Sequence, residues 1–295
     1  MRKCAYLTLL PLVCLSLVPR TGLAQVPPGA VRFTDLACHR LDDNLPPLQA
    51  HLFLQHLNPL ISGAMEEVDV LEPQQLCTPV RKDSQLIPDD VIDFVRYLDL
   101  KCYRVQGSNV LGGLNMVLNH LNPLLSTLPP ELAQLYYLTQ LCVPVNKLQD
   151  GVIPQPIPPT VIDFVSNVDV ACYEIFDQAI PLYQLRLTEL NPMFNFPPSS
   201  VVMYNARQLC LPVQKSFDPT YFPPLPPPIQ DVVSRMDFLK YEIFGDIPDF
   251  FYFLGLRHLN PVLTDFPDEL VYMHEAQQLM VPVQKSWPGT GGAEQ

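Results

Sequence analysis

One octapeptide pattern, written four times, constrains this chain more than any other feature. It reads Gln75-Leu76-Cys77-Thr78-Pro79-Val80-Arg81-Lys82, then Gln140-Leu141-Cys142-Val143-Pro144-Val145-Asn146-Lys147. It returns as Gln208-Leu209-Cys210-Leu211-Pro212-Val213-Gln214-Lys215 and as Gln278-Leu279-Met280-Val281-Pro282-Val283-Gln284-Lys285. A second segment opens each copy: Asp35-Leu36-Ala37-Cys38-His39-Arg40-Leu41, Asp99 to Val105, Asp169 to Ile175 and Asp237 to Ile243. The interval between openings is 64 to 70 residues. Self-similarity at such a period makes the fold an arrangement of related units.

Each opening alternates. Tyr103 and Val105, Tyr173 and Ile175, Tyr241 and Ile243 stand one and three residues after the Cys position, with His39 and Leu41 in the first copy. Period two predicts a strand with one face buried. A second strand ends at His56-Leu57-Asn58-Pro59, His120-Leu121-Asn122-Pro123, Glu189-Leu190-Asn191-Pro192 and His258-Leu259-Asn260-Pro261. The residues two, four and six before these ends are all apolar: Ala50, Leu52 and Leu54 in the first copy, and their equivalents in the others. Asn-Pro closes the strand, because proline has no N–H for the ladder. The third strand runs into the octapeptide, whose Pro places it at a sheet edge or bulge.

Proline, 34 of 295 residues, is roughly twice its usual ~5% share. The joints Ile87-Pro88, Ile153 to Pro159 and Pro223 to Pro228 read as stiff spacers between copies. The expected fold is all-β: four tandem disulfide-stapled repeats, each a sandwich- or barrel-like unit. The expected boundaries are 25–90, 91–160, 161–228 and 229–287, after a leader at 1–24 and before an unstructured tail at 288–295. A unit this small is marginal alone, so neighbours are expected to share a core.

The first three copies each hold two Cys, 39, 40 and 38 residues apart, and the fourth has Lys240 and Met280 there. Both partners are missing together. Pairing within copies strands no thiol, whereas pairing between neighbours strands Cys38 and Cys210. The expected bonds are Cys38–Cys77, Cys102–Cys142 and Cys172–Cys210. Three such pairs, without Cys-x-x-Cys or a close His, make a poor zinc site.

Arg2 and Lys3, an apolar stretch from Ala5 to Val18, and Gly22-Leu23-Ala24 form an export leader cut before Gln25. That implies an oxidising compartment, where disulfides persist. The leader removes Arg2, Lys3 and Arg20 and no acidic residue, taking the net charge from −12 to −15. Such a chain is not expected to bind nucleic acid or anionic lipid. No later stretch has the apolar length of a membrane span.

Catalytic motifs are absent. There is no Gly-x-Ser-x-Gly elbow and no phosphate loop. His56, His120 and His258 recur at one place, where a gathered metal or proton-transfer site competes with a structural role bonding a turn carbonyl; the structural role is preferred. Lys82, Lys147, Lys215 and Lys285 read as edge or solvated lysines, with Asp35, Asp99, Asp169 and Asp237 as partners or turn caps. Asp42-Asp43, Glu66-Glu67 and Asp89-Asp90 lack calcium-loop spacing, and nothing sets two carboxylates across a cleft. Tyr136-Tyr137, Tyr221-Phe222 and Phe250 to Phe253 are expected in the core rather than as sugar platforms.

Cys-Tyr-[Arg/Glu]-[Val/Ile], followed some 40 residues later by Gln-Leu-Cys-x-Pro-Val-x-Lys, resembles an uncharacterised domain repeated in tandem in exported bacterial proteins. The resemblance covers roughly residues 30–216, and the fourth copy lacks its two Cys. It implies export and tandem modularity, and carries no site residues. The expected function is a non-catalytic, secreted binding or structural protein of the bacterial envelope or extracellular space. Its partner would be a glycan or an envelope protein, with no cofactor. A secreted hydrolase of unrecognised type, using carboxylates or the His56-type residues, is the second reading. Nothing in the sequence sets an oligomeric state.

Overall fold

The computed structural model describes residues 26–42, 45–83, 85–176, 180–248 and 251–289. The expected leader at 1–24, Asp43 and Phe250 lie outside these residues, as does the expected tail from 290 onward. The elements follow one order four times. A short helix or 3-10 turn comes first: Ala30–Phe33, α1 (Asp89–Val95), α2 (Pro159–Val165) and α3 (Pro227–Val233). The Cys-bearing strand follows: β1 (Asp35–Leu41), β4 (Leu100–Gly107), β8 (Asp169–Ile175) and β11 (Asp237–Asp246). Then comes the Asn-Pro strand: β2 (Ala50–His56), β5 (Asn115–His120), β9 (Tyr183–Glu189) and β12 (Tyr252–His258). A long strand ends each round: β3 (Met65–Lys82), β6 (Glu131–Gln149), β10 (Ser199–Ser216) and β13 (Glu269–Ser286), with a two-residue β7 (Ile153–Pro154) after β6. The helices were not legible as such in the sequence. Pro at the first helical positions of α2 and α3 was the signal, since a helix start needs no N–H there.

All thirteen strands belong to one sheet, and the chain is all-β as expected. The sheet closes on itself. β1 pairs β3, β3 pairs β4, β4 pairs β6, and β6 pairs β8. β8 then pairs β10, β10 pairs β11, β11 pairs β13, and β13 returns to β1. This is an eight-stranded antiparallel barrel with the fourth copy docked on the first. Closure removes the open edges that would otherwise recruit other strands.

The Asn-Pro strands lie outside the ring, and each joins copies two apart. β2 pairs its own β3 and the far end of β10, while β9 pairs its own β10 and the far end of β3. β5 and β12 link β6 and β13 in the same reciprocal way. The octapeptide Pro marks the handover. Along one edge of β3 the partner is β4 as far as Cys77 and β9 from Val80, so Pro79 sits where no ladder N–H is needed. Its carbonyl still accepts a bond from Leu190 N–H, and Pro144, Pro212 and Pro282 accept in turn from Leu259, Leu57 and Leu121.

The Cys-bearing strands are buried on both faces rather than one. Inside the barrel Leu36, Leu100, Val170 and Phe238 pack with the cysteines, Met280 and the helical Phe94, Phe164 and Val233. Outside, Tyr103, Tyr173 and Tyr241 pack with Leu52, Leu54, Met116, Leu118, Leu185 and Leu187 of the covering strands. The disulfides are Cys38–Cys77, Cys102–Cys142 and Cys172–Cys210, the pairs that the repeat arithmetic gives. They lie side by side in the interior: Cys77 Sγ is 3.6 Å from Cys102 Sγ, and Cys142 Sγ is 3.8 Å from Cys172 Sγ.

The recurrent lysines are neither edge residues nor solvated. Lys82, Lys147, Lys215 and Lys285 are buried and pair with Asp35, Asp99, Asp169 and Asp237 of their own copies. Each Asp also accepts from the Asn of the following copy: Asn122 to Asp35, Asn191 to Asp99, Asn260 to Asp169, and Asn58 of the first copy to Asp237 of the last. The same Asn oxygens accept the backbone N–H two residues on. Burial raises all four Asp and lowers all four Lys against their mutual attraction; Asp99 is pushed up to about 6. Removing one partner of such a pair leaves an uncompensated charge. Lys82→Met is therefore expected to cost about 3–5 kcal/mol in urea unfolding. Adding Asp35→Asn, which keeps an acceptor for Asn122, is expected to recover most of that loss; an additive second loss would contradict the pairing.

Candidate functional site

The recurrent histidines do not gather, and they bond no turn carbonyl. Each is buried between two covering layers, facing a tyrosine from the copy two places away. His56 Nε2 lies 2.9 Å from the Tyr173 hydroxyl, which donates to Glu66 at 2.9 Å. His258 Nε2 lies 3.1 Å from the Tyr103 hydroxyl, which donates to Glu269 at 2.6 Å. His120 Nε2 lies 3.1 Å from the Tyr241 hydroxyl, which donates to Glu131. With the phenol proton committed to Glu, the histidine supplies an Nε2–H; among the described residues Nδ1 of all three faces no partner. Burial, with Lys285 nearby, pushes His56 down to about 3. Burial and the adjacent carboxylates push Tyr103, Tyr173 and Tyr241 far up, so they remain donors. Burial raises Glu269, but bonds from His258, Lys101 and Tyr103 and the Lys101 charge bring it down to about 2.

The fourth equivalent place carries a reciprocal exchange. The first copy has His39 where the others have Tyr, and the third has Glu189 where the others have His. These two residues meet: His39 Nε2 is 3.3 Å from Glu189 Oε1, and Thr78 donates to Glu189 Oε2 at 3.0 Å. Ser199 stands where the other copies have Glu66, Glu131 and Glu269. A cavity of ≈ 20 Å³, space for one water, is lined by His39, Glu189 and Ser199. The composition mimics a hydrolytic triad, but the geometry does not serve one. His39 Nδ1 bonds the His274 carbonyl and Nε2 bonds Glu189, so no ring nitrogen is left to accept a proton from Ser199.

Among the described residues, no group of three or more His, Cys, Asp and Glu converges as a metal site. Glu66 is buried in the network above, while Glu67 and Asp89-Asp90 face solvent. Asp42 bonds His274 Nε2 at 2.7 Å.

Two features at the barrel mouth were missed or misread in the sequence. The first is the rim of aromatic side chains. Tyr136 and Tyr137 are 44% and 52% exposed, not core, and Tyr136 packs edge-on against Phe176 at 5.2 Å. At the next junction Tyr204 packs against Phe244, also at 5.2 Å. Tyr136 and Tyr204 both stand four residues before the octapeptide Gln, and Phe176 and Phe244 both stand four after the Cys position. At the remaining two junctions Leu71 and His274 occupy the Tyr place. Beside the first pair lies an open cleft of ≈ 290 Å³ lined by Asn109, Gly112, Gln134, Tyr136 and Tyr137. Beside the second lies one of ≈ 510 Å³ lined by Tyr204, Phe244, Gln75, Gln277, Gln278 and Glu242, among others. Tyr221 and Phe251 are also exposed rather than core, and Phe251 stacks on Tyr272 at 4.2 Å.

The second feature is Lys240. It replaces a Cys at an inward-facing position and crosses the barrel interior. Its Nζ donates to Gln75 Oε1 at 2.7 Å and to Gln140 Oε1 at 2.8 Å, side chains of the first and second copies. Among the described residues no carboxylate pairs it, and burial pushes it down to about 7. The signal was present: a Lys at a position that the pattern turns inward.

No family model matches the chain, and no curated protein or solved structure matches it.

A double-mutant cycle tests the exchange. His39→Tyr and Glu189→His, each alone, break the fourth network; together they restore the Tyr–His pairing of the other three. The expected coupling in urea melts is favourable and about 1–2 kcal/mol, and simple additivity contradicts the assignment. A second measurement tests Lys240. Its folded value lies below the unfolded 10.5, so the unfolded chain binds the extra proton between about 7 and 10.5. Stability must rise with pH across that window. Relative to Lys240→Met, the wild-type chain is expected to gain on the order of 1 kcal/mol per pH unit there. Parallel curves contradict a buried, unpaired amine.

Proposed function

We propose that the chain is an exported, non-catalytic binding protein of the bacterial envelope or extracellular space, and that its ligand is carbohydrate. The observation that carries this reading is the pair of rim clefts, in which exposed aromatic rings stand beside amide side chains. Sugar rings present an apolar C–H face to an aromatic ring and hydroxyls at their edges. Tyr136, Tyr137, Tyr204 and Phe244 line the clefts, with Phe176 packed on Tyr136; Asn109, Gln134, Gln277 and Gln278 offer amides that both donate and accept. The two ring pairs, Tyr136–Phe176 and Tyr204–Phe244, stand at equivalent places on adjacent junctions of one barrel. Two weak contacts with one polymer then reinforce each other.

Three disulfides fit an oxidising compartment, in line with the leader at 1–24. Among the described residues no helix is long and apolar enough to cross a membrane. The binder reading also rests on chemistry used elsewhere: the recurrent His56, His120 and His258, with Tyr103, Tyr173, Tyr241, Glu66, Glu131 and Glu269, are committed to buried structural bonds.

The test is retention of residues 25–295, made through an oxidising compartment, on cell-wall material and insoluble polysaccharides. Wild type is expected to be retained on at least one of them. Tyr136→Ala with Phe176→Ala is expected to weaken retention about tenfold, with the melting temperature little changed because the rings are exposed. Absence of retention on every polymer, or equal retention of the double variant, contradicts the reading.

A further inference from the structure

The sequence has seven lysines, and Lys3 belongs to the leader. The other six are all buried, an unusual state for a residue that normally keeps its ammonium in water. Five of the six have a carboxylate partner: Lys82, Lys147, Lys215 and Lys285 have the recurrent Asp, and Lys101 has Glu269. Lys240 has two amide oxygens and, among the described residues, no carboxylate. A neutral amine has two N–H bonds and one lone pair. The oxygens of Gln75 and Gln140 accept two N–H bonds, which leaves the lone pair of a neutral Nζ uncommitted. Burial, which holds Lys240 down near 7, keeps a large share of it neutral at physiological pH. That is the state in which a lysine acts as a nucleophile.

Gln75, whose oxygen is 2.7 Å from Nζ, lines the ≈ 510 Å³ rim cleft together with Gln278. Gln75 donates to Gln278 at 2.9 Å, so one amide both lines the cleft and holds Lys240. Glu242 and Glu275 line the cleft but pair with Arg207 and Arg40, so the restriction on charge comes from the fully buried surroundings of Lys240, where an unpaired anion would be costly to desolvate.

We propose that Lys240 is a covalent docking point for a small, uncharged aldehyde, which enters through the rim cleft, displaces the Gln75 amide and condenses with Nζ. The Nζ lone pair attacks the carbonyl carbon, and the carbonyl π pair moves to oxygen, which takes up a proton from nitrogen. The carbinolamine then loses that hydroxyl, with the remaining N–H proton, as water. The product is an imine between the aldehyde carbon and Nζ. No oxidant or reductant takes part, and the step reverses on hydrolysis.

The test uses the wild-type chain, 25–295, at pH 7 with acetaldehyde as the probe and cyanoborohydride to reduce any imine to a stable ethylamine. Sites are then read by peptide mass spectrometry after unfolding. The α-amino terminus of added triglycine serves as the freely accessible reference, and the five carboxylate-paired lysines serve as buried ones. Lys240 is expected to be ethylated about fivefold faster than Lys101 or Lys215, which are held down only to about 8 and so have a smaller neutral fraction, and faster than the other three. Glyoxylate, an anionic aldehyde, is expected to lose ground at Lys240 relative to the terminus. An unmodified Lys240 beside a fully modified terminus overturns the proposal. So does equal labelling of all six lysines, which signals global opening. Equal relative rates for acetaldehyde and glyoxylate overturn the restriction to uncharged aldehydes.

Discussion

A strand at the edge of a sheet leaves its N–H and C=O groups unpaired, and every copy of this repeat has edges that it cannot satisfy alone. The Cys-bearing strand pairs its own long strand on one side and needs the previous copy's on the other. The Asn-Pro strand needs the end of a long strand from two copies away. Four copies meet all these demands together, because the fourth long strand returns to β1. Closure is therefore the condition under which the backbone is paired, and the octapeptide prolines fall at the breaks between successive partners.

Side-chain chemistry obeys the same geometry. Each Asp–Lys pair is internal to a copy, but the Asn that completes it comes from the next one. No such set is complete unless neighbours dock in this order. Buried ion pairs are costly to desolvate and add little net stability over apolar packing. Their effect here is on arrangement: a slipped or reversed neighbour leaves a buried charge short of a donor. The His–Tyr–Glu networks act likewise across copies two apart, and the His39–Glu189 exchange shows that the demand falls on the pair rather than on either residue. Interior disulfides then hold the barrel where the copies crowd closest, and the fourth copy forgoes that bond for an amine held by two amides.

Much of this was legible in the sequence. Alternation placed β1, β2 and their equivalents, and the joint loss of both Cys in the last copy gave the disulfide pairing. Closure was not legible, since local patterns in a closed ring and in an open tandem array are the same. His39 and Glu189 each stood out as departures, yet nothing in the linear chain says that they touch. The lysines were read as solvated because buried lysine is rare; their strict recurrence with Asp was the countersign. Tyr136 and Tyr137 were read as core from their bulk, whereas their exposure depends on where the strands splay at the barrel mouth.

The central claim is that the last copy docks on the first. Ala37 of β1 stands directly opposite Leu279 of β13. Cysteines placed at directly opposed positions of neighbouring antiparallel strands are near enough to bond. The most direct measurement is therefore non-reducing peptide mass spectrometry of the Ala37→Cys, Leu279→Cys chain made through an oxidising compartment. Closure predicts a 37–279 bridge beside the three native disulfides. Folded protein with both new thiols free to alkylation would contradict it, and an open array of copies would take its place.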